Sequence, residues 1–336
     1  MNRIALNFED GITRFIDVRP DELVADAAYR LGLNIPMDCR DGACGTCKCQ
    51  CESGEYSLGG YIDDAMTEEE AAQGFVLTCQ MKAKSDCVIR IPASSAVCKT
   101  KPATVAATMV DVRQLSPSTI GFSVRTEPAN ALRYLPGQYV NVSVPGSAQT
   151  RSYSFSSTIK NGVADFLVRN IPGGLMSTYL ASQAKAGDAL TLTGPIGSFY
   201  LRAVTRPLLF LAGGTGLAPF LAMLEHLEAN IPTHPVHMIY GVTNDADLVE
   251  VAALEGLAKR IPGFTFTTVV ADPASRHERK GYVTHHMPDS ALFGGDVDVY
   301  LCGPPPMVDA VRAYFAEKNI SPASFHFEKF NPSESK

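Results

Sequence analysis

The sequence predicts a multidomain chain of α+β and α/β class. A small mixed module leads, an antiparallel β-barrel follows, and a doubly wound parallel sheet comes last. Three observations carry that expectation. The 336 residues suit two or three domains at roughly 100–200 residues each. Eight of the nine cysteines (Cys39, Cys44, Cys47, Cys49, Cys51, Cys79, Cys87 and Cys98) lie before residue 100, leaving Cys302 alone beyond it. The hydrophobic rhythm also changes, from short punctuated strands to alternating strands and helices, near residue 205.

Composition narrows the class further. Apolar residues make up 46% and charged residues 19%, enough for packed cores and too apolar for wholesale disorder. The formal charge of −6 argues against a general nucleic-acid binder, which needs a basic face. The acidity is local: residues 1–98 carry nine Lys and Arg against sixteen Asp and Glu, and the remainder twenty against nineteen. An odd cysteine count and the lack of an N-terminal apolar signal speak against a secreted disulfide scaffold. The most apolar stretch, Pro207 to Leu224, is broken by Gly213-Gly214-Thr215-Gly216 and Pro219, so it reads as a strand turning into a helix, not a membrane span. A soluble, cytoplasmic monomer is expected.

The first module opens with alternating Ile4, Leu6 and Phe8, an Asp10-Gly11 hairpin signal and a second strand from Ile12 to Val18. Pro20, Asp21 and Glu22 then suit the start of a helix carrying Leu23, Ala27, Ala28 and Leu31 on one face. A loop dense in Cys and Gly follows Pro36. Module boundaries are expected at 1–98, a linker at 99–104, a barrel at 105–204 and the last domain at 205–336. Six strands are expected in the barrel, with one helix starting near Gly174. From 206 the order is strand, helix, strand, helix, which implies a parallel sheet covered on both faces.

Cys39-x4-Cys44-x2-Cys47, with Cys79 beyond thirty-one intervening residues, is the plant-type spacing for a 2Fe–2S cluster. Two bridged irons need four thiolates, and small residues between them (Gly42, Ala43, Gly45, Thr46) let backbone N–H groups approach the sulfurs. Structural zinc is the competing reading, since four cysteines also satisfy a tetrahedral site, but Cys79 lacks the second hook of a zinc ribbon. Cys49 and Cys51 continue at every second residue, so a strand turns both to one face as buried thiols.

The segments MDCRDGACGTCKCQCESGEY and FVLTCQ resemble the ferredoxin module of reductases that serve aromatic-ring-hydroxylating dioxygenases, with the benzoate, toluate and anthranilate systems nearest. The resemblance runs along essentially the whole chain and implies a β-grasp ferredoxin, an FAD-binding β-barrel and an NADH-binding α/β domain. Arg151-Ser152-Tyr153-Ser154 is similar to the Arg-x-Tyr-Ser signature of the ferredoxin–NADP reductase superfamily. On a strand, Arg151 and Tyr153 share one face, suiting a phosphate and a flavin ring, while the family places the second Ser, Ser154, near the flavin N5. Gly173-Gly174-Leu175-Met176-Ser177-Thr178 at a helix start suits a pyrophosphate. In this domain order the family uses FAD. Gly194-Pro195-Ile196-Gly197 reads as a turn closing the barrel.

Gly213, Gly214, Thr215 and Gly216 make a glycine-rich strand-to-helix turn for a second pyrophosphate. Cys302-Gly303-Pro304 resembles the family's Cys-Gly-Pro-Pro segment, in which the thiol lies beside the nicotinamide ring. Asp245 and Asp247 follow the strand Val236–Gly241, and no Arg or Lys comes before Lys259. Either carboxylate can accept from a free ribose 2′-hydroxyl and would repel a 2′-phosphate, which favours NADH. Phe327-Glu328-Lys329-Phe330 resembles the family's terminal segment, making Glu328 and Phe330 candidates beside the flavin. His285-His286 lacks the company a metal site needs.

Three modules in this order answer a stoichiometric problem: NADH gives two electrons together, whereas an iron–sulfur cluster takes one. The expected partner is the Rieske-type terminal oxygenase of an aromatic-acid 1,2-dioxygenase. Two alternatives stand beside it: the reductase of a diiron phenol- or methane-type monooxygenase, and a redox-sensing or zinc-stabilised module without turnover.

Overall fold

The computed structural model describes residues 1–129 and 131–330, so residues 331–336 of the expected last domain lie outside the described residues. The chain divides into two compact units, Met1–Pro102 with Pro195–Ser198, and Ala103–Gly194 with Phe199 onward.

In the first unit, β1 (Asn2–Phe8) and β2 (Thr13–Val18) form the expected antiparallel hairpin, with Gly11 supplying a left-handed turn residue at φ 76°. Helix α1 (Val24–Arg30) follows and buries Val24, Ala25, Ala27 and Ala28. Then come β3 (Lys48–Ser53), β4 (Tyr56–Leu58), the single turn α2 (Glu68–Ala72), β5 (Phe75–Leu77), β6 (Met81–Ala83) and β7 (Cys87–Ile91). The main sheet runs β2-β1-β7-β3-β5, with β1 and β7 parallel and its other pairs antiparallel. Ile4, Leu6, Ile16 and Ile89 pack with Val24, Ala27 and Ala28 of α1, giving the β-grasp arrangement. Cys49 and Cys51 alternate along β3 and are both buried in that core, as period-two spacing requires. Cys98 is buried as well, within a short 3-10 turn at Val97–Lys99, and the next strand begins at Ala103.

The second unit opens with β8 (Ala103–Ser116), β9 (Thr119–Glu127), β10 (Tyr139–Ser143), β11 (Thr150–Ser154), β12 (Val163–Arg169), α3 (Leu175–Ser182) and β13 (Ala189–Ile196). The sheet order is β11-β10-β13-β8-β9-β12, and a bridge between Phe155 and Phe166 joins its two edges into a barrel. Phe122, Val140, Val142, Phe155 and Phe166 fill it, the Phe122 and Phe166 rings stacking at 4.9 Å. Strand β13 runs past the expected turn at Gly194, because Gly194 packs flat on Val140, where a Cβ would come within 2.7 Å of the valine side chain.

A parallel sheet completes the unit: β14 (Leu208–Gly213), α4 (Ala218–Ala229), β15 (Val236–Val242), α5 (Val251–Arg260), β16 (Phe264–Val270), the single turn α6 (Asp289–Leu292), β17 (Asp298–Gly303), α7 (Pro305–Glu317) and β18 (Ser324–Lys329). The order is β16-β15-β14-β17-β18. Leu208, Phe210 and Ala212 face one buried cluster while Leu209 and Leu211 face another, so β14 is covered on both sides. Helix α5 starts three residues later than its apolar pattern suggests. Glu250 takes a left-handed conformation at φ 58°, so the helix proper begins at Val251. Among the described residues, no helix is long and apolar enough to cross a membrane.

Candidate functional site

The cysteine loop is built from main chain bent against its preferences. Arg40, Gly42 and Gly45 have φ of 65°, 83° and 72°. At Gly42 a Cβ would sit 2.4 Å from the Gly60 carbonyl oxygen, so both the conformation and the close approach require glycine. This bending aims donors at sulfur. Cys44 N–H donates to Cys39 Sγ at 3.3 Å, and the backbone of Asp41 and Gly42 bonds to the Cys39 and Cys79 sulfurs. The four cysteines touch in a chain, Cys44 to Cys39 to Cys79 to Cys47. Hydrogen bonds with Cys44 and then Cys79 hold the Cys39 thiol far below its ordinary range, and Cys79 lowers Cys47 likewise. The same bonds push Cys44 and Cys79 upward.

Four sulfurs with main-chain donors on them fit a bridged iron–sulfur group, whose thiolates are spread over two irons. Cys47 and Cys79 are buried, Cys39 is half-buried and Cys44 is exposed, so the loop is open on one side.

On β11, Arg151 and Tyr153 share a face and are half-buried, whereas Ser152 is exposed and bonds Asn141 Oδ1 at 2.7 Å. Tyr153 meets Phe122 edge-on, with ring centroids 6.0 Å apart, which fixes its ring on the barrel surface. Ahead of α3, Gly173 holds φ 73° with open space where a Cβ would be. The rest of that segment splits in two. Met176 and Ser177 turn inward, the Ser177 hydroxyl bonding Ile171 O at 2.7 Å, while Leu175 and Thr178 stay exposed at the helix start. Gly174 N–H is taken up by Ile171 O at 2.9 Å, so the helix end that opens at Leu175 is the part suited to a phosphate.

Sequence order hides how the remaining candidates meet. β14 and β17 are neighbours with Ala212 paired to Cys302, so the Gly213–Gly216 turn and the Cys302-Gly303-Pro304 segment leave the sheet side by side. They touch through backbone. A Cβ on Gly216 would lie 2.3 Å from Cys302 O, and one on Gly213 would lie 2.5 Å from Met307 Sδ and 3.1 Å from Pro304. Gly214 (φ 55°) and Thr215 continue the turn. Cys302 is buried and pairs with Glu328 on β18, while Phe330 N–H donates to Gly303 O at 2.9 Å.

From the barrel, the buried Ser154 reaches the same place, its Oγ donating to Glu328 Oε2 at 3.2 Å. Burial pushes the Glu328 carboxyl up to about 8 against the Ser154 bond, and burial followed by the Glu328 charge raises the Cys302 thiol well above its ordinary value. The structure thus joins Ser154, Cys302, Gly303, Glu328 and Phe330 in one crevice at the carboxyl ends of β14 and β17, where the strand order reverses.

Asp245 and Asp247 lie apart from that cluster, beyond β15. Asp245 accepts the Ser275 hydroxyl at 2.7 Å; Asp247 accepts from Ser118 and from Asn244. Sequence reasoning missed Ser118 and Ser275, which stand 129 and 30 residues from the carboxylates they bind. His285 and His286 are in a 3-10 turn, bonded to Tyr282 N at 3.3 Å and Lys280 O at 2.9 Å.

Three family models match in chain order: the 2Fe-2S iron-sulfur cluster binding domain over residues 7–84, the oxidoreductase FAD-binding domain over 106–200 and the oxidoreductase NAD-binding domain over 210–313. The toluate 1,2-dioxygenase electron transfer component of Pseudomonas putida is 59% identical, with 98% of each chain covered. The 2-halobenzoate 1,2-dioxygenase electron transfer component of Burkholderia cepacia is 48% identical over 99% of this chain and 98% of its own. Among solved structures, the Amycolatopsis cytochrome P450 reductase GcoB aligns with a TM-score of 0.72 at 33% identity, covering 98% of this chain and all of that one. With an iron–sulfur, a flavin and a nicotinamide domain in that order, the chain belongs to the family of 1,2-dioxygenase electron transfer components.

Proposed function

We propose that this protein, a cytoplasmic monomer, takes hydride from NADH and delivers single electrons to the Rieske-type terminal oxygenase of an aromatic-acid 1,2-dioxygenase. Residues 1–98 would carry the cluster, 105–204 the FAD and 205–336 the NADH. The observation that carries this reading is the convergence of Ser154 and Glu328 beside Cys302, from two domains, at the end of the parallel sheet.

FAD, when bound, supplies the exchange between a two-electron donor and a one-electron acceptor. The chain supplies the rest. Arg151 and the Gly173-Gly174 turn would hold the flavin phosphates, and Tyr153 would lie along the ring. Gly213–Gly216 would take the nicotinamide pyrophosphate on main-chain N–H groups. Cys302, too buried to ionise, would present an apolar surface to the nicotinamide. Glu328 holds a proton at neutral pH, 3.2 Å from the Ser154 hydroxyl, so a proton can be shared there without a charge entering the crevice. Cys39, Cys44, Cys47 and Cys79 would hold the cluster, with Cys44 on the exposed side from which a partner takes electrons. Sixteen carboxylates against nine cations in residues 1–98 suit a basic docking face on that partner, with salt-sensitive encounter rates.

Anaerobic NADH should bleach the flavin and then the cluster, and benzoate-type oxygenase components should turn over when added. A cluster left oxidised by excess NADH defeats the electron path. Turnover with a diiron hydroxylase alone defeats the choice of partner.

A further inference from the structure

The two carboxylates after β15 are spent differently. Asp245 is exposed and takes the Ser275 hydroxyl. Asp247 has both oxygens committed: Oδ1 accepts a short hydrogen bond from Ser118, and Oδ2 accepts the Asn244 backbone N–H at 3.2 Å and its side-chain amide at 3.0 Å. The Tyr240 hydroxyl donates to the Asp247 carbonyl at 3.3 Å, steadying the loop from below.

Ser118 belongs to the barrel, at the tip of the β8–β9 hairpin. The tip is braced: Ser118 N–H bonds Ser116 Oγ at 3.2 Å, Asn170 N–H donates to Ser118 O at 2.7 Å, and Asn170 Nδ2 donates to Pro117 O at 3.1 Å. Asn170 directly precedes Ile171, whose carbonyl anchors Ser177 and so shapes the Gly173-Gly174 turn. A continuous run of hydrogen bonds and adjacent residues therefore links the loop after β15 to the turn ahead of α3.

We infer that Ser118 and Asp247 are a positioning pair that holds the ribose-binding loop in register with the flavin pyrophosphate turn, leaving Asp245 as the ribose contact. This rests on the nucleotide sites proposed above. Hydride transfer needs its two carbon and nitrogen centres about 3–3.5 Å apart, and the two nucleotides are held by different domains. Leu115 and Leu167 of the barrel pack on the core of the parallel-sheet domain, and the polar contacts between the two add directional register to that packing. A hydroxyl on a carboxylate is among the stronger of such contacts. A second clasp exists at Glu225 of α4, which accepts Thr158 N–H at 2.9 Å and its hydroxyl at 2.6 Å and pairs with Lys160 at 3.1 Å. Loss of the first clasp therefore loosens the register and leaves the domains joined.

The test uses the flavin- and cluster-loaded protein. Asp247→Asn and Ser118→Ala should each lower the limiting rate of NADH-driven flavin reduction about tenfold, with the NADH-to-NADPH preference unchanged. Deuterium exchange at the Asn170 amide should quicken in both, without turnover, and Ser118→Thr should restore rate and protection. Asp245→Ser should instead raise the use of NADPH relative to NADH. A shift toward NADPH in Asp247→Asn overturns the pair, as do unchanged rate and unchanged Asn170 exchange. Should Asp247→Asn fail to fold, Ser118→Ala on the hairpin tip decides by the same readouts. If Asp245→Ser leaves the preference alone while both clasp variants slow reduction, the ribose assignment falls and the pair stands.

Discussion

The cysteine loop and the crevice at β14 and β17 solve opposite problems. The loop turns main chain onto sulfur: left-handed residues aim N–H groups at Cys39 and Cys79, and Cys44 stays exposed. The crevice disfavours charge. Its ionisable groups, Cys302 and Glu328, are pushed by burial toward their neutral forms, and one hydroxyl is their polar neighbour from the barrel. Under the proposed function the open loop would hand on electrons one at a time, and the closed crevice would take the hydride away from water.

Replacing one sulfur should separate the two regions most sharply. Cys79→Ser, in a buried position touching both Cys39 and Cys47, should remove the iron–sulfur absorption and abolish delivery to the oxygenase. NADH should still reduce the flavin at the parent rate. A variant that keeps its cluster, or that also stops reducing flavin, would break the division of labour.

Glu328→Gln probes the other region. The folded carboxyl titrates at about 8 against an ordinary 4.5, so the folded chain retains a proton that the unfolded chain has released between those values. Stability therefore falls as pH rises through that window, and the amide removes the fall. Flavin reduction should slow about tenfold, while the Tm at pH 8 should exceed the parent's by about 4 °C. Equal Tm values across pH 5–8 in parent and variant would show that the carboxyl is not desolvated as described.

The smallest effect should come from Thr67→Ala. Thr67 and Glu70 cap α2 reciprocally at 3.2 Å, and Glu70 also pairs with Lys48 at 2.6 Å. Loss of the cap should cost about 1 kcal/mol of stability in the first unit, read by denaturant titration of the cluster absorption. Flavin reduction by NADH should not change; a change would show that the two regions are less independent than their chemistry suggests.

The same contrast explains what could be read from the amino-acid order. Three of the four loop cysteines sit within nine residues, so their spacing alone carries the geometry. The strand-to-helix turns at Gly173 and Gly213 were legible because each combines glycines with an abrupt change of period. The different hydrogen-bond settings of Asp245 and Asp247 were not, since what separates them is Ser118 and Ser275, distant in sequence and ordinary in type. The late start of α5 escaped for a related reason: its apolar pattern begins at Leu248, but Asp247 binds back to Asn244 and Glu250 turns left-handed before the helix can begin.

Cys44 has a consequence for the lifetime of the protein. In the proposed electron path Cys44, the exposed residue of the four, lies on the side a partner would approach, and dioxygen and chelators would come from that side too. Shielding it would lengthen shelf life and lengthen the tunnelling distance together. Durability and speed of discharge would be traded at a single residue.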